Sequence, residues 1–142
     1  MQNKYIITTT INNPTDAIHK FDNMSDWKLI VVGDKKTPLN YNLRNGIYLS
    51  PEDQENYDKD LSDAIGWNCI QRRNFGLLKA HQLDADIIAT IDDDNIPFDN
   101  WGKNLLVSKK VDLDYYETDE IVFDPISVTN HNNLWHRGFP LQ

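Results

Sequence analysis

Three apolar, β-branched runs constrain this chain more than anything else in it: Tyr5-Ile6-Ile7-Thr8-Thr9-Thr10-Ile11, Lys28-Leu29-Ile30-Val31-Val32 and Asp86-Ile87-Ile88-Ala89-Thr90-Ile91. Continuous rather than alternating hydrophobicity suits strands covered on both faces, the situation in a parallel sheet. Helical spacing fills the gaps between them. Asn12 or Asn13 is predicted to cap a helix with Pro14 at its first position, burying Ala17, Ile18, Phe21 and Met24. Ser50-Pro51-Glu52-Asp53 starts a second helix, which Tyr57, Leu61 and Ile65 carry to Gly66. A third is predicted from about Trp67 to Gln82, with Ile70, Asn74, Leu77 and Leu78 on one face. Residues 35–46 read as loop, Gly46 to Leu49 as a short strand, and one or two strands are expected around Ile121-Val122-Phe123. The order β-α-β-loop-β-α-α-β gives an α/β sandwich with a mostly parallel central sheet. In such sheets, ligands bind beyond the carboxyl ends of the strands.

Composition narrows the function. The chain has 142 residues, one domain's worth, and a net charge of -8, which argues against a broad basic footprint on nucleic acid. Apolar residues at 39% are too many for a disordered acidic tail. No run is long and apolar enough to span a membrane and the N-terminus lacks a signal-peptide layout, so a cytoplasmic protein without membrane insertion is expected. Cys69 is the only cysteine, which excludes an intrachain disulfide and a cysteine-based zinc site. The acidic residues are 18 Asp against 4 Glu, and Asp favours turns, caps and ligand sites over helix surfaces.

Asp92-Asp93-Asp94 at the end of the Ile87 to Ile91 run is the sharpest chemical feature. In an extended segment Asp92 and Asp94 share one side and Asp93 takes the other. Converging carboxylates repel unless a cation joins them, and oxygen ligands suit hard ions such as Mg2+ or Mn2+. A solvated turn before Pro97 is the plain alternative. About twenty residues upstream, Arg72 and Arg73 form the densest basic pair in an acidic chain. Guanidinium forks suit phosphate oxygens, although both arginines could equally pair with nearby Asp at the surface. Asn74 sits on an apolar face and needs a partner there.

An Arg73-Asn74-x-Gly76 helix, an apolar strand and an acidic triplet together resemble the pattern of GT-A glycosyltransferases. The likeness is closer still to the STELLO-type glycosyltransferases. It is carried by Thr8-Thr9-Thr10-Ile11-Asn12-Asn13-Pro14, by Trp27 to Pro38, by Asp92-Asp93-Asp94-Asn95-Ile96-Pro97 and by Trp135-His136-Arg137-Gly138-Phe139-Pro140. The last segment is also similar, more distantly, to reversibly glycosylated polypeptides, the UDP-arabinose mutases. The resemblance implies a GT-A, Rossmann-like αβα sandwich that binds a nucleoside-diphosphate sugar, expected to be a UDP-sugar, through a divalent cation (Mn2+ or Mg2+) and transfers the sugar to an unknown acceptor.

It also implies roles. Thr8 and Thr10 would border the base and ribose, and Asp34 would hydrogen-bond one of them. Arg73 would face the nucleotide or diphosphate. Asp92 and Asp93 join this nucleotide-sugar set, while Asp92 and Asp94 would hold the metal, with His136 as a third ligand. Asp119, Asp124 and Glu117 are candidate general bases, and Arg137 a candidate contact to the diphosphate or acceptor. One domain over 1–142 is expected, with the donor part in 1–100 and the start of an acceptor-side part in 101–142. The stretch after Asp94 is short for this family, so an acceptor side truncated at the C-terminus is expected. Two other functions compete: a catalytically incomplete domain that binds nucleotide sugar or stabilises a partner, and a phosphotransferase using a strand-end Asp-x-Asp. The second usually places that motif after the first strand, which here ends in threonines.

Overall fold

A computed structural model describes residues 2–131, 133 and 134. The chain divides into two compact units, residues 1–107 and 108–142. The first unit runs β1 (Lys4–Thr10), α1 (Asp16–Asp22), β2 (Lys28–Gly33), β3 (Ile47–Leu49), α2 (Pro51–Tyr57), α3 (Lys59–Ile65), a 3-10 turn (Ile70–Arg72), α4 (Arg73–Gln82) and β4 (Ile87–Thr90). The four strands form one sheet in the order β3-β2-β1-β4, every pair parallel. This is the α/β, Rossmann-like architecture expected from the three apolar runs.

Side-chain alternation sorts these runs into two cores. Ile6, Leu29 and Val31 face α1, where Ile18, Phe21, Trp27 and Tyr41 close one layer. Tyr5, Ile7, Ile30 and Val32 face the opposite layer, built on Phe75 and Ala80 of α4 with Leu61 and Ile65 of α3. Gly76 lets α4 approach the sheet closely. A Cβ there would lie 2.4 Å from Ile7 Cγ2 and 3.0 Å from Val32 Cγ2. The segment after β4 is pinned by Trp101, whose ring meets Phe21 edge-on at 5.0 Å and Trp27 at 5.1 Å. Gly102 follows with φ +71°, a backbone conformation few other residues adopt cheaply.

Several expectations are corrected. The cap of α1 is Thr15, whose hydroxyl accepts from Ile18 N–H, and the helix begins at Asp16, not at Pro14. The single helix from Pro51 to Ile65 is two helices. Asp58 ends α2 and caps α3, its carboxylate accepting from Leu61 N–H at 2.8 Å. Local side-chain capping here outcompetes an apolar period that runs on past it. The predicted helix from Trp67 starts only at Ile70, as a 3-10 turn, and its buried face is Arg72, Phe75, Gly76 and Ala80. Ile70 and Asn74 are exposed, so Asn74 is not the buried polar residue expected. Asp22 is the carboxylate the sequence reading passed over: it is buried and accepts backbone N–H bonds from Arg44, Asn45 and Gly46, fixing the loop into β3.

The second unit carries no helix or strand among the described residues, so the strands expected around Ile121-Val122-Phe123 do not form. Its hydrogen bonds are local, such as Asp124 accepting from Ile126 N–H at 2.9 Å. Among the described residues no helix is long and apolar enough to cross a membrane.

Tyr41 gives the first unit an alkaline weakness. It is buried and stacks on Tyr48 at 4.7 Å, and its hydroxyl makes no hydrogen bond among the described residues. Burial, reinforced by the Asp93 carboxylate, pushes its phenol well above the ordinary value of 10.0. A proton held more tightly in the folded chain gives stability that is complete below about pH 10 and falls as pH rises beyond it. Tyr48 is raised in the same direction by burial. Tyr41→Phe is expected to leave the urea midpoint at pH 7 unchanged or higher. Between pH 10 and 12 it should remove part of the loss, up to about 1 kcal/mol per pH unit. Parallel urea titrations at pH 7 and pH 11 test this, and identical alkaline losses in both proteins would refute it.

Candidate functional site

The strand order places β2 and β4 on opposite sides of β1, so the chain reverses direction across the sheet between β1 and β4. A cavity of about 400 Å³ opens at this reversal, the usual ligand position in such folds. Its walls are Thr9 to Asn12 after β1, Asp34 and Lys36 after β2, Asn68 to Ile70 before α4, and Asp92 to Asp94 after β4. Four of the five ionisable Asp and Lys side chains in that wall are acidic, with Lys36 the exception.

The acidic triplet leaves the strand in a turn closed by Asn95 N–H donating to Asp92 C=O at 3.3 Å. That turn ends the strand alternation, and the three carboxylates have separate surroundings. Asp92 accepts from Arg73 Nη2 at 3.0 Å, and the same nitrogen donates to Ile91 C=O at 3.0 Å. Asp93 is half-buried and accepts through Oδ2 from the Thr10 hydroxyl and from Asn12 Nδ2. Asp94 is exposed and makes no hydrogen bond or ion pair among the described residues.

The strand end after β2 is built as tightly. Asp34 is buried, and its two carboxylate oxygens accept from Lys35 N–H at 2.6 Å and Asn68 N–H at 2.8 Å. Asn68 takes a left-handed backbone, φ 57°, which asparagine tolerates better than most residues. Thr37 accepts from Asp34 N–H at 2.8 Å and donates to Thr10 C=O, tying the ends of β1 and β2 together. Behind Asn68, Arg72 is fully buried. Its Nε donates to Gln54 Oε1 at 2.8 Å and its Nη1 to Ser62 Oγ at 3.0 Å and Gly66 C=O at 3.2 Å. Its guanidinium lies 3.7 Å from the Trp67 ring centroid and 4.6 Å from that of Phe75. Burial lowers its pKa from the usual arginine value, opposed by the Asp34 charge.

Of the residues singled out in the sequence, the structure brings Thr10, Asp34, Asp92, Asp93 and Asp94 to one cavity, with Arg73 paired to its rim. Thr8 is not there: it is wholly buried within β1, on the face shared with Ile6, and its hydroxyl donates to Thr9 C=O. Asp119 and Asp124 lie in the second unit, as does Glu117. His136 and Arg137 fall outside the described residues. Arg72, expected to be a surface charge or phosphate fork, is a structural cation inside the first unit. Asn12, Asn68, Cys69 and Ile70 line the cavity although none is among the candidate site residues. The sequence presents Asn12 as a helix cap and the other three as part of the helix from about Trp67. Among the described residues, no three His, Cys, Asp or Glu side chains come together to hold a metal.

No family model matches the chain. Among curated proteins, Probable glycosyltransferase STELLO2 of Arabidopsis thaliana is 24% identical over 98% of this chain and 20% of its own length. Probable glycosyltransferase STELLO1 of the same plant is 25% identical over 98% of this chain and 19% of its own. This chain is similar to the STELLO-type glycosyltransferases. The chain spans about a fifth of the length of the curated relatives it matches.

Proposed function

We propose that the first unit is the donor-binding half of a glycosyltransferase, taking a nucleoside-diphosphate sugar, with UDP-sugar as the leading choice, in the cavity beyond β1, β2 and β4. One observation carries this reading: an acidic turn opens into a cavity at the sheet's reversal point, in a chain similar along 98% of its length to proteins named as glycosyltransferases. Asp34, Asn68 and Thr10 lie on the wall where a base and ribose would meet polar groups. Arg73 pairs with Asp92 at 3.0 Å, and Lys36 is the lysine in the cavity wall.

The donor set at the turn suits a hard divalent cation. Mg2+ and Mn2+ commonly take one or two protein carboxylates and complete their shell with water and phosphate oxygens, so a cluster of three protein ligands is not required. Asp94, which makes no hydrogen bond or ion pair among the described residues, and Asp92 would hold it. When bound, such an ion neutralises charge developing on the leaving diphosphate. The chain's own part is to fix the turn, keep Arg73 against Asp92 and orient the nucleotide between Asp34 and the acidic turn. Transfer breaks the bond from the anomeric carbon to the diphosphate oxygen and forms one to an acceptor oxygen, whose proton must go to a base.

UDP with Mn2+ is expected to raise the melting temperature, by roughly 5–10 °C at a ligand concentration about 100 times the dissociation constant. EDTA should abolish the shift. Equal stabilisation with and without metal would remove the cation from this reading, and no stabilisation by any nucleoside diphosphate would remove the donor site. Binding without hydrolysis or transfer of the sugar would assign the chain to nucleotide-sugar binding alone.

A further inference from the structure

Three adjacent carboxylates invite the assumption that they act alike, but the hydrogen bonds divide them. Asp93 sits at the centre of a closed network. Asn12 N–H donates to Thr10 Oγ1 at 3.0 Å, and the Thr10 hydroxyl donates onward to Asp93 Oδ2. The Asn12 side-chain amide returns to the same oxygen at 3.0 Å. The backbone joins in: the Thr15 hydroxyl donates to Asp93 C=O while accepting from Ile18 N–H, so the cap of α1 is also a clasp on the acidic turn. Both ends of Asp93 are therefore fastened to the β1–α1 connection, a segment more than seventy residues away in sequence. Asp94 has no such ties among the described residues, and Asp92 is held by Arg73.

We propose that Asp93 is a positioning residue, a strut that fastens the acidic turn to the β1–α1 connection and so presents Asp92 and Asp94 to the cavity. The inference rests on the donor-site reading above and refines it: of the three carboxylates, the middle one holds the shape and the outer two face the ligand. Such constellations lose function when their support lets them drift by a fraction of an ångström. Both side-chain donors converge on Oδ2, and Oδ1 has no hydrogen bond among the described residues. An asparagine can therefore keep both contacts through its carbonyl oxygen, while an alanine keeps neither. A carboxylate serving as a cation ligand would behave differently, since asparagine would lose the charge that binds.

The test compares Asp93→Asn and Asp93→Ala in the full chain, both verified as folded by circular dichroism. Two quantities are read: affinity for UDP in Mn2+, by titration calorimetry, and hydrogen exchange of the backbone amides of residues 92–95. A strut predicts that Asp93→Ala weakens UDP binding by at least about tenfold and speeds exchange across the turn. Asp93→Asn should recover affinity to within about threefold of the parent and restore protection. If Asp93→Asn loses as much affinity as Asp93→Ala while protection is kept, Asp93 binds through its charge and the proposal is wrong. It is equally wrong if Asp93→Ala alters neither quantity. Should Asp93→Ala fail to fold, Asn12→Ala removes one of the two side-chain donors from an exposed position, and it must speed exchange across the turn if the strut exists. If the parent binds no UDP with Mn2+, the donor-site reading fails by itself, and the exchange rates of the two Asp93 variants still decide the strut.

Discussion

Arg72→Leu is expected to cost roughly 3–5 kcal/mol of unfolding free energy, the range reached when a buried polar network loses its centre. Arg72 is fully buried and joins α2, the end of α3 and its own 3-10 turn. Its Nε holds Gln54, whose own amide donates to Gly33 C=O at 2.8 Å and Leu49 C=O at 3.0 Å. Its Nη1 holds Ser62 and Gly66 at the end of α3. Leucine would leave Gln54 Oε1 and Ser62 Oγ without this donor in a closed interior, take one donor from the half-buried Gly66 carbonyl, and empty the space between Trp67 and Phe75. Replacing a buried charge by an apolar group is sometimes neutral, but that outcome requires the partners to be replaced with it. The loss should reach the site as well, because Asn68, Cys69 and Ile70, which line the cavity, lie between Trp67 and Arg72. Urea denaturation of the parent and variant reads the first effect and UDP titration the second. A stability loss below about 1 kcal/mol would show that the network is ornamental.

The same residue marks where the sequence ceases to be legible. The strands could be read because double-sided burial writes itself as an unbroken apolar run, as in Leu29 to Val32. The cavity's position followed from that, since parallel order fixes where strand ends collect. Arg72 could not be read. Nothing in the spacing of α4 distinguishes an arginine that enters the core from one that leaves it, and Leu77 and Leu78 drew the predicted face toward Asn74. The true face is set by Gly76, which admits close approach to Ile7 and Val32 and turns Phe75 and Ala80 inward. The partners of Asp22 and Asp93 were hidden for a related reason. Each carboxylate accepts from groups distant in sequence or in an irregular loop, so no periodicity records the partnership. The triplet itself was visible, but its division of labour depends on Thr10, Asn12, Thr15 and Arg73 arriving from elsewhere in the chain. The tail around Ile121 to Phe123 fails in the opposite direction, since β-propensity without a partner strand does not make a strand.

Asp94→Asn should separate fold from ligand most cleanly. Asp94 is exposed, forms no hydrogen bond or ion pair among the described residues and lines the cavity beside Asp92 and Asp93. Removing its charge takes nothing from the folded chain and relieves repulsion among neighbouring carboxylates, so the melting temperature without ligand should stay within about 2 °C or rise. The effect on binding should be large. A hard cation held by at most two protein carboxylates depends heavily on each, and loss of one is expected to weaken Mn2+-dependent UDP binding by roughly 100-fold. Asp92→Asn provides the contrast. It also strips the ion partner from Arg73, whose side chain is only 19% exposed, so it should lower stability where Asp94→Asn does not. Scanning calorimetry without ligand and titration of UDP in Mn2+ measure both arms on the same samples. Undiminished, still EDTA-sensitive binding in Asp94→Asn would place the cation away from this turn. A marked loss of ligand-free stability would make Asp94 a structural residue and leave Asp92 as the carboxylate through which this turn meets a cation.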